Sequence, residues 1–80
     1  MLFIYNFITN MAKKPLQPFA KRIRAFRQEK HMSQADLANR AEVSNITISK
    51  IESGDNDNPT LRTLKNIAQV LKVSLIEIVK

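Results

Sequence analysis

Apolar residues fall at helical spacing along this 80-residue chain from Pro18 onward. Phe19, Ile23 and Phe26 follow one another at steps of four and three. They place one inward stripe on a helix predicted from about Pro18 to Glu29 or Lys30. Proline suits the first helical position, where its missing N–H is not needed. The next helix lies in "HMSQADLANRAE". Ser33 is its predicted N-cap. Asp36, three residues on, resembles the partner of a capping box and suits the positive helix end. Leu37 and Ala38 face inward, and Met32 is expected to pack as a staple just before the cap.

The stretch "VSNITISKI" at residues 43–51 is ambiguous. Its β-branched residues alternate with polar ones, as in a strand. Ile48 and Ile51 also lie one helical step apart. The chain's only glycine, Gly54, stands where a helix would need a left-handed terminal residue, and it favours a helix over 44–53. On that helix, at roughly 100° per residue, Ile48 and Ile51 define a core face. Ile46 and Lys50 lie nearly opposite, Ser49 falls between the faces, and Asn45 sits at the N-terminal flank. Asn58 precedes a proline, which favours an extended backbone there. Thr60 can then cap a fourth helix, with Leu61, Leu64, Ala68 and Leu71 on its buried face. Ser74 and Glu77 form an S-x-x-E box opening a short fifth helix, with Leu75, Ile78 and Val79 inward.

Residues 1–10, "MLFIYNFITN", alternate weakly and are compatible with a short strand. "NMAKKPLQP" reads as a linker with two prolines, and Met11 could serve as an alternative start. The expected organisation is an apolar and basic extension over 1–17 and one all-α, five-helix domain over 18–80. The N-terminal stretch is short of the about 20 residues that span a bilayer. It also lacks the cationic start and cleavage site of a signal peptide. A cytoplasmic protein is the expectation.

Composition narrows the chemistry. There is no cysteine, so disulfides and thiolate zinc sites are excluded. One histidine cannot build a histidine metal cluster, and one glycine cannot build a Gly-rich phosphate loop. No cofactor is expected, and the chain does not read as an enzyme. The net charge of +6 and pI near 10.1 point to an anionic partner. Residues 1–30 hold seven Lys/Arg and one Glu, whereas residues 31–60 hold two basic and five acidic residues. Long-range attraction must therefore come from the first helix and the Lys13–Lys14 arm, not from the central helices. The acidic "DNDNP" lacks the glycine and distal glutamate of a calcium loop.

Two central helices joined by very few residues match a helix-turn-helix. "IRAFRQEKHMSQADLANRAEVSNITISKIESG" followed by "NPTLRTLKNIAQVLKVSLIEIV" resembles the lambda-repressor/Cro (XRE-type) helix-turn-helix family, over about residues 19–79. The resemblance implies a sequence-specific regulator of double-stranded DNA, of repressor type. It implies base reading by Asn45, Ile46, Ser49 and Lys50, a backbone contact at Gln34, and an ion pair between Arg27 and Glu52. The chemistry of the outer face suits a major groove. Asn can bind adenine, Lys can reach guanine, and an aliphatic can meet the thymine methyl. Ser33, Ser44, Thr47, Asn58 and Thr60 stand at helix ends, where free N–H groups favour phosphate. Arg27, Lys13 and Lys14 complete the expected backbone set. The family's usual glycines before the second helix and in the following turn are here His31 and Glu42, so Glu42 is expected to adopt a strained positive φ.

Some apolar residues are left over. Val70 and Ile76 lie off their helix stripes, and Phe3, Tyr5 and Phe7 belong to the exposed-strand candidate. Either set could join two copies into a homodimer on a palindromic operator. The alternative is an antitoxin, in which the apolar N-terminus binds a toxin protein and the helix-turn-helix binds its own operator.

Overall fold

The structure is a computed structural model and describes residues 18–80. The expected strand with Phe3, Tyr5 and Phe7, the Lys13–Lys14 arm and the Met11 question lie outside the described residues. Within them the chain forms α1 (Pro18–Glu29), α2 (Gln34–Arg40), α3 (Asn45–Ser53), α4 (Leu61–Leu71) and α5 (Leu75–Val79). The family's five-helix architecture is thus present.

Local chemistry sets the helix starts. Ser33 Oγ accepts from the Asp36 N–H at 3.0 Å, and the Asp36 carboxylate accepts from the Ser33 N–H at 3.1 Å. This reciprocal pair holds the Asp36 carboxyl below the usual carboxylate range, chiefly through the Ser33 backbone hydrogen bond. Ser44 and Thr60 cap α3 and α4 in the same extended geometry, accepting from Thr47 and Thr63 at 3.1 Å each. Glu77 accepts from the Ser74 N–H at 3.0 Å at the start of α5.

The helix ends follow one repeated device. The N–H of Met32 reaches back to the Arg27 carbonyl, Val43 to Ala38, and Val73 to Ala68, at 3.0–3.1 Å. Each bond is the 6→1 contact of a Schellman motif. The residue before each apolar one is left-handed: His31 at φ 57°, Glu42 at φ 61° and Lys72 at φ 58°. The positive φ expected at Glu42 is therefore present, and Lys72 repeats it where no reading of the residues had placed it. Gly54, at φ 89°, closes α3 without a Cβ penalty.

The core joins all five helices. Ile23, Leu37, Ile48, Ile51, Ile67, Leu71 and Ile78 are its largest fully buried side chains. Met32 is buried with them, and Phe19 and Phe26 pack against them half-exposed. Three expectations need correction. Leu61 is 57% exposed, because it stands at the first helical position, at the very end of the α4 stripe. Val79 is 46% exposed, because it is rotated away from the direction shared by Leu75 and buried Ile78 on a helix of only five residues. Val70 packs half-buried against the core instead of forming an outward patch, since α1, α2 and α5 all touch α4. Ile76 remains outward as expected, at 66% exposure.

Glu42→Gly should relieve the left-handed strain and stabilise the domain by about 1 kcal/mol. That corresponds to a rise in melting temperature of roughly 4–8 °C for a chain of this size. A thermal melt that is unchanged or lowered would show that Glu42 makes compensating contacts in the turn.

Candidate nucleic-acid interface

The helix-turn-helix is α2, the turn Ala41–Ser44, and α3. Ala41 is buried, Val43 is half-buried, and Glu42 supplies the left-handed step between them. This turn leaves α3 with two unlike faces. Ile48 and Ile51 are fully buried, while Asn45, Ile46, Ser49 and Lys50 are all exposed. Ile46 is 65% exposed, so its aliphatic surface is free to gain from burial against a partner.

A buried polar network fixes that orientation. Arg27 on α1 meets Glu52 on α3 in a bidentate pair, Nε to Oε2 at 2.7 Å and Nη2 to Oε1 at 2.9 Å. Glu52 is 4% exposed, so its charge would be costly without this partner. Arg27 Nη1 also donates to the Met32 carbonyl at 2.7 Å, which ties the corner between α1 and α2 to the same group. Glu52 Oε1 accepts a further hydrogen bond from Gln34 Nε2 at 3.1 Å, from the first residue of α2. Hydrogen bonding to Glu52 raises the Arg27 pKa, opposed by partial burial. One carboxylate thus links three helices. Above it lies an open recess of about 190 Å³, lined by Arg24, Gln34, Ser49 and Ser53 around the ion pair.

The structure brings some of the expected residues together and separates others. The Arg27–Glu52 pair expected from the resemblance is present. The guanidinium of Arg27 is consequently committed inside the domain, with its side chain 11% exposed, and is not offered to phosphate as was expected. Gln34 is half-buried, and its amide is already engaged by Glu52. Ser49 lies three residues before Glu52 on the α3 edge that lines the recess. Ser33, Ser44 and Thr60 are exposed, but their hydroxyls act as caps. Thr47 is half-buried, and its hydroxyl lies 2.8 Å from that of Ser44. Asn58 is exposed, with its N–H on Asn56 Oδ1 at 3.0 Å. Residue spacing could not reveal the Gln34–Glu52 bond, because it crosses 18 positions and depends on how the turn folds. Arg24 was also passed over, as one cation among several on α1.

Comparison with known proteins now decides the family. The helix-turn-helix family (HTH_3) matches residues 23–78, most of the described domain. The chain belongs to this lambda-repressor-like (XRE-type) helix-turn-helix DNA-binding family. It is similar to the uncharacterized HTH-type transcriptional regulator RghRB of Bacillus subtilis, 38% identical over 72% of this chain and 42% of RghRB. The chain thus spans less than half the length of the curated relatives it matches. It also resembles the Bacillus subtilis biofilm regulator SinR in complex with DNA. That likeness has a TM-score of 0.70 and 34% identity, over 72% of this chain and 92% of the chain in that complex. The P22 c2 repressor in complex with a synthetic operator matches with a TM-score of 0.73 and 31% identity, over 80% of this chain and 96% of that one. Among the described residues, no helix is long and apolar enough to cross a membrane.

Breaking the network from one side should be far worse than replacing it. Glu52→Ala leaves Arg27 buried without its anion and should cost about 3–5 kcal/mol in urea unfolding. The double variant Arg27→Met/Glu52→Met should lose much less than the sum of the single changes. Additive losses would mean that the two side chains do not act as a pair.

Proposed function

We propose that this chain is a sequence-specific, double-stranded DNA-binding transcriptional regulator of repressor type. It enters the major groove with α3. The observation that carries the reading is the split between the two faces of that helix. Ile48 and Ile51 are buried beneath it, and Glu52 is pinned to Arg27. Asn45, Ile46 and Lys50 are left projecting as a compact set of amide, methyl and cationic chemistry. A recognition helix needs this combination of rigid placement and a free outer surface. The three relatives named above are a transcriptional regulator and two proteins in complex with DNA, which supports the same reading. No cofactor enters this function, and it is not enzymatic.

In this account Lys50 reads guanine O6/N7, Asn45 reads adenine N6/N7, and Ile46 covers a thymine methyl. Ser49 reads from the edge of the recess. The N-termini of α3 and α4, at Ser44–Thr47 and Asn58–Thr60, approach the sugar–phosphate backbone, as do Ser33 and Gln34. Lys13 and Lys14 supply charge from the arm. The protein acts in the cytoplasm as a homodimer on a palindromic operator, with half-sites about 34–36 Å apart, as is general for this motif. Exposed Ile76 on α5 supports the dimer. Toxin binding rests on residues 1–10, outside the described residues, and no observation favours it over the regulator.

On a selected operator, Lys50→Ala should relax preference at one base position, at a cost of about 1–3 kcal/mol. Ile46→Ala should keep the melting temperature of the parent while losing discrimination at a thymine. Gln34→Ala should weaken binding evenly across sequences. Fluorescence anisotropy on an operator and its single-base variants checks all three. Equal weakening on every duplex by Lys50→Ala and Ile46→Ala would mean that another surface reads the bases.

A further inference from the structure

One side chain from α4 reaches the turn between α2 and α3. Asn66 donates from Nδ2 to the Ala41 carbonyl at 3.3 Å, across 25 positions of sequence. Ala41 is the C-cap of α2 and the first residue of the turn. The N–H groups of Ala41, Glu42 and Val43 close on the carbonyls of Leu37, Asn39 and Ala38. The Ala41 carbonyl lies beyond these, at a helix end that leaves its last carbonyls unpaired. No backbone N–H of the turn reaches it, and Asn66 supplies the donor. That carbonyl belongs to the peptide unit on which the turn depends. Rotating the Ala41–Glu42 peptide changes ψ of Ala41 and φ of Glu42 together. Those angles are −1° and 61°. The second is costly for a residue with a Cβ, and relaxing it would swing the carbonyl away from Asn66. A donor that holds the carbonyl therefore holds the left-handed step.

The same bond ties the turn to α4. Thr60, the N-cap of that helix, lies under two helical turns from Asn66. Asn66 is half-buried on the short stem of an asparagine, so little side-chain freedom is lost in keeping the amide in place. We propose that Asn66 is a positioning residue for operator recognition. By holding the Ala41 carbonyl it fixes the angle at which α3 leaves α2, and it locks the exposed face of α3 to the N-terminus of α4. The inference rests on the DNA-binding reading and adds to it a residue that acts through the turn, without a DNA contact of its own. Its work differs from that of the Arg27–Glu52 pair. The ion pair stops α3 from rolling about its axis, whereas Asn66 sets the connection at its N-terminal end.

The test is anisotropy titration of the full chain and its Asn66→Ala, Asn66→Leu and Asn66→Gln variants, on a selected operator and on a scrambled duplex, well below the melting temperature. Asn66→Leu keeps the side-chain volume and removes only the donor. Asn66→Ala and Asn66→Leu should each bind the selected operator about fivefold more weakly, the worth of one net hydrogen bond. Both should bind the scrambled duplex within about twofold of the parent, because non-specific attraction comes from charge and not from the angle of one helix. Asn66→Gln retains an amide donor and should recover most of the lost discrimination. In a Glu42→Gly background the left-handed step carries no Cβ cost, so Asn66→Leu should there weaken operator binding by less than about twofold. An equal loss on both duplexes, or an equal loss in both backgrounds, would overturn the positioning role. So would discrimination that neither Asn66→Ala nor Asn66→Leu changes. Failure of the parent chain to tell the two duplexes apart would instead remove the DNA reading, and the proposal with it.

Discussion

A buried carboxylate must have a strong partner, and in this domain Glu52 has two: the guanidinium of Arg27 and the amide of Gln34. Most of what distinguishes this fold from a generic bundle of short helices depends on that constraint. Hydrophobic contact alone is non-directional and would let α3 roll about its axis with little penalty. The bidentate geometry allows no such rotation, because both donor–acceptor distances must be kept near 2.7–2.9 Å. Arg27 is in turn held by the Met32 carbonyl at the α1–α2 corner. The exposed face of α3 is thus oriented from beneath, by groups on the buried side of the helix. A buried pair of this kind adds little net stability over apolar residues, so its value here is placement.

The short connections depend on a second economy. Three helices close with a left-handed residue followed by an apolar one that folds back, and none of those left-handed residues is glycine. His31, Glu42 and Lys72 each carry a conformational cost so that Met32, Val43 and Val73 can turn inward within a few residues. The arrangement converts corners into core. A 63-residue described domain has little interior to spare, and these connector side chains help to close it.

The helices, their caps and the two faces of α3 were legible in the residues, because each has a local cause. Ser33 with Asp36 and Ser44 before the β-branched run announce helix starts, and Gly54 announces a stop. The ambiguous "VSNITISKI" resolved as a helix once Gly54 and the Ile48–Ile51 step were read together, and α3 spans Asn45–Ser53. The resemblance to the lambda-repressor-like family added the Arg27–Glu52 pair, which no periodicity could supply. Exposure at the ends of stripes was not legible. Leu61 and Val79 sit at or near the proper spacing, but no neighbouring helix closes over them. Val70 was misjudged for the opposite reason, since α4 is approached from several sides. The bond from Gln34 to Glu52 was hidden because it depends on the tertiary meeting of two helix ends.

Charge completes the account. The central helices and the loop after Gly54 are net acidic, so attraction to a polyanion must come from the basic residues flanking them. Such a layout favours specific contacts over indiscriminate adhesion, since the exposed set Asn45, Ile46, Ser49 and Lys50 on α3 carries only one cation, Lys50. The central claim is that a rigidly placed α3 reads duplex DNA, and selection of bound duplexes from a random library tests it most directly. The account predicts enrichment of a two-fold symmetric site, its half-sites separated by about one helical turn of DNA. Recovery of sequences no different from the starting library would contradict it.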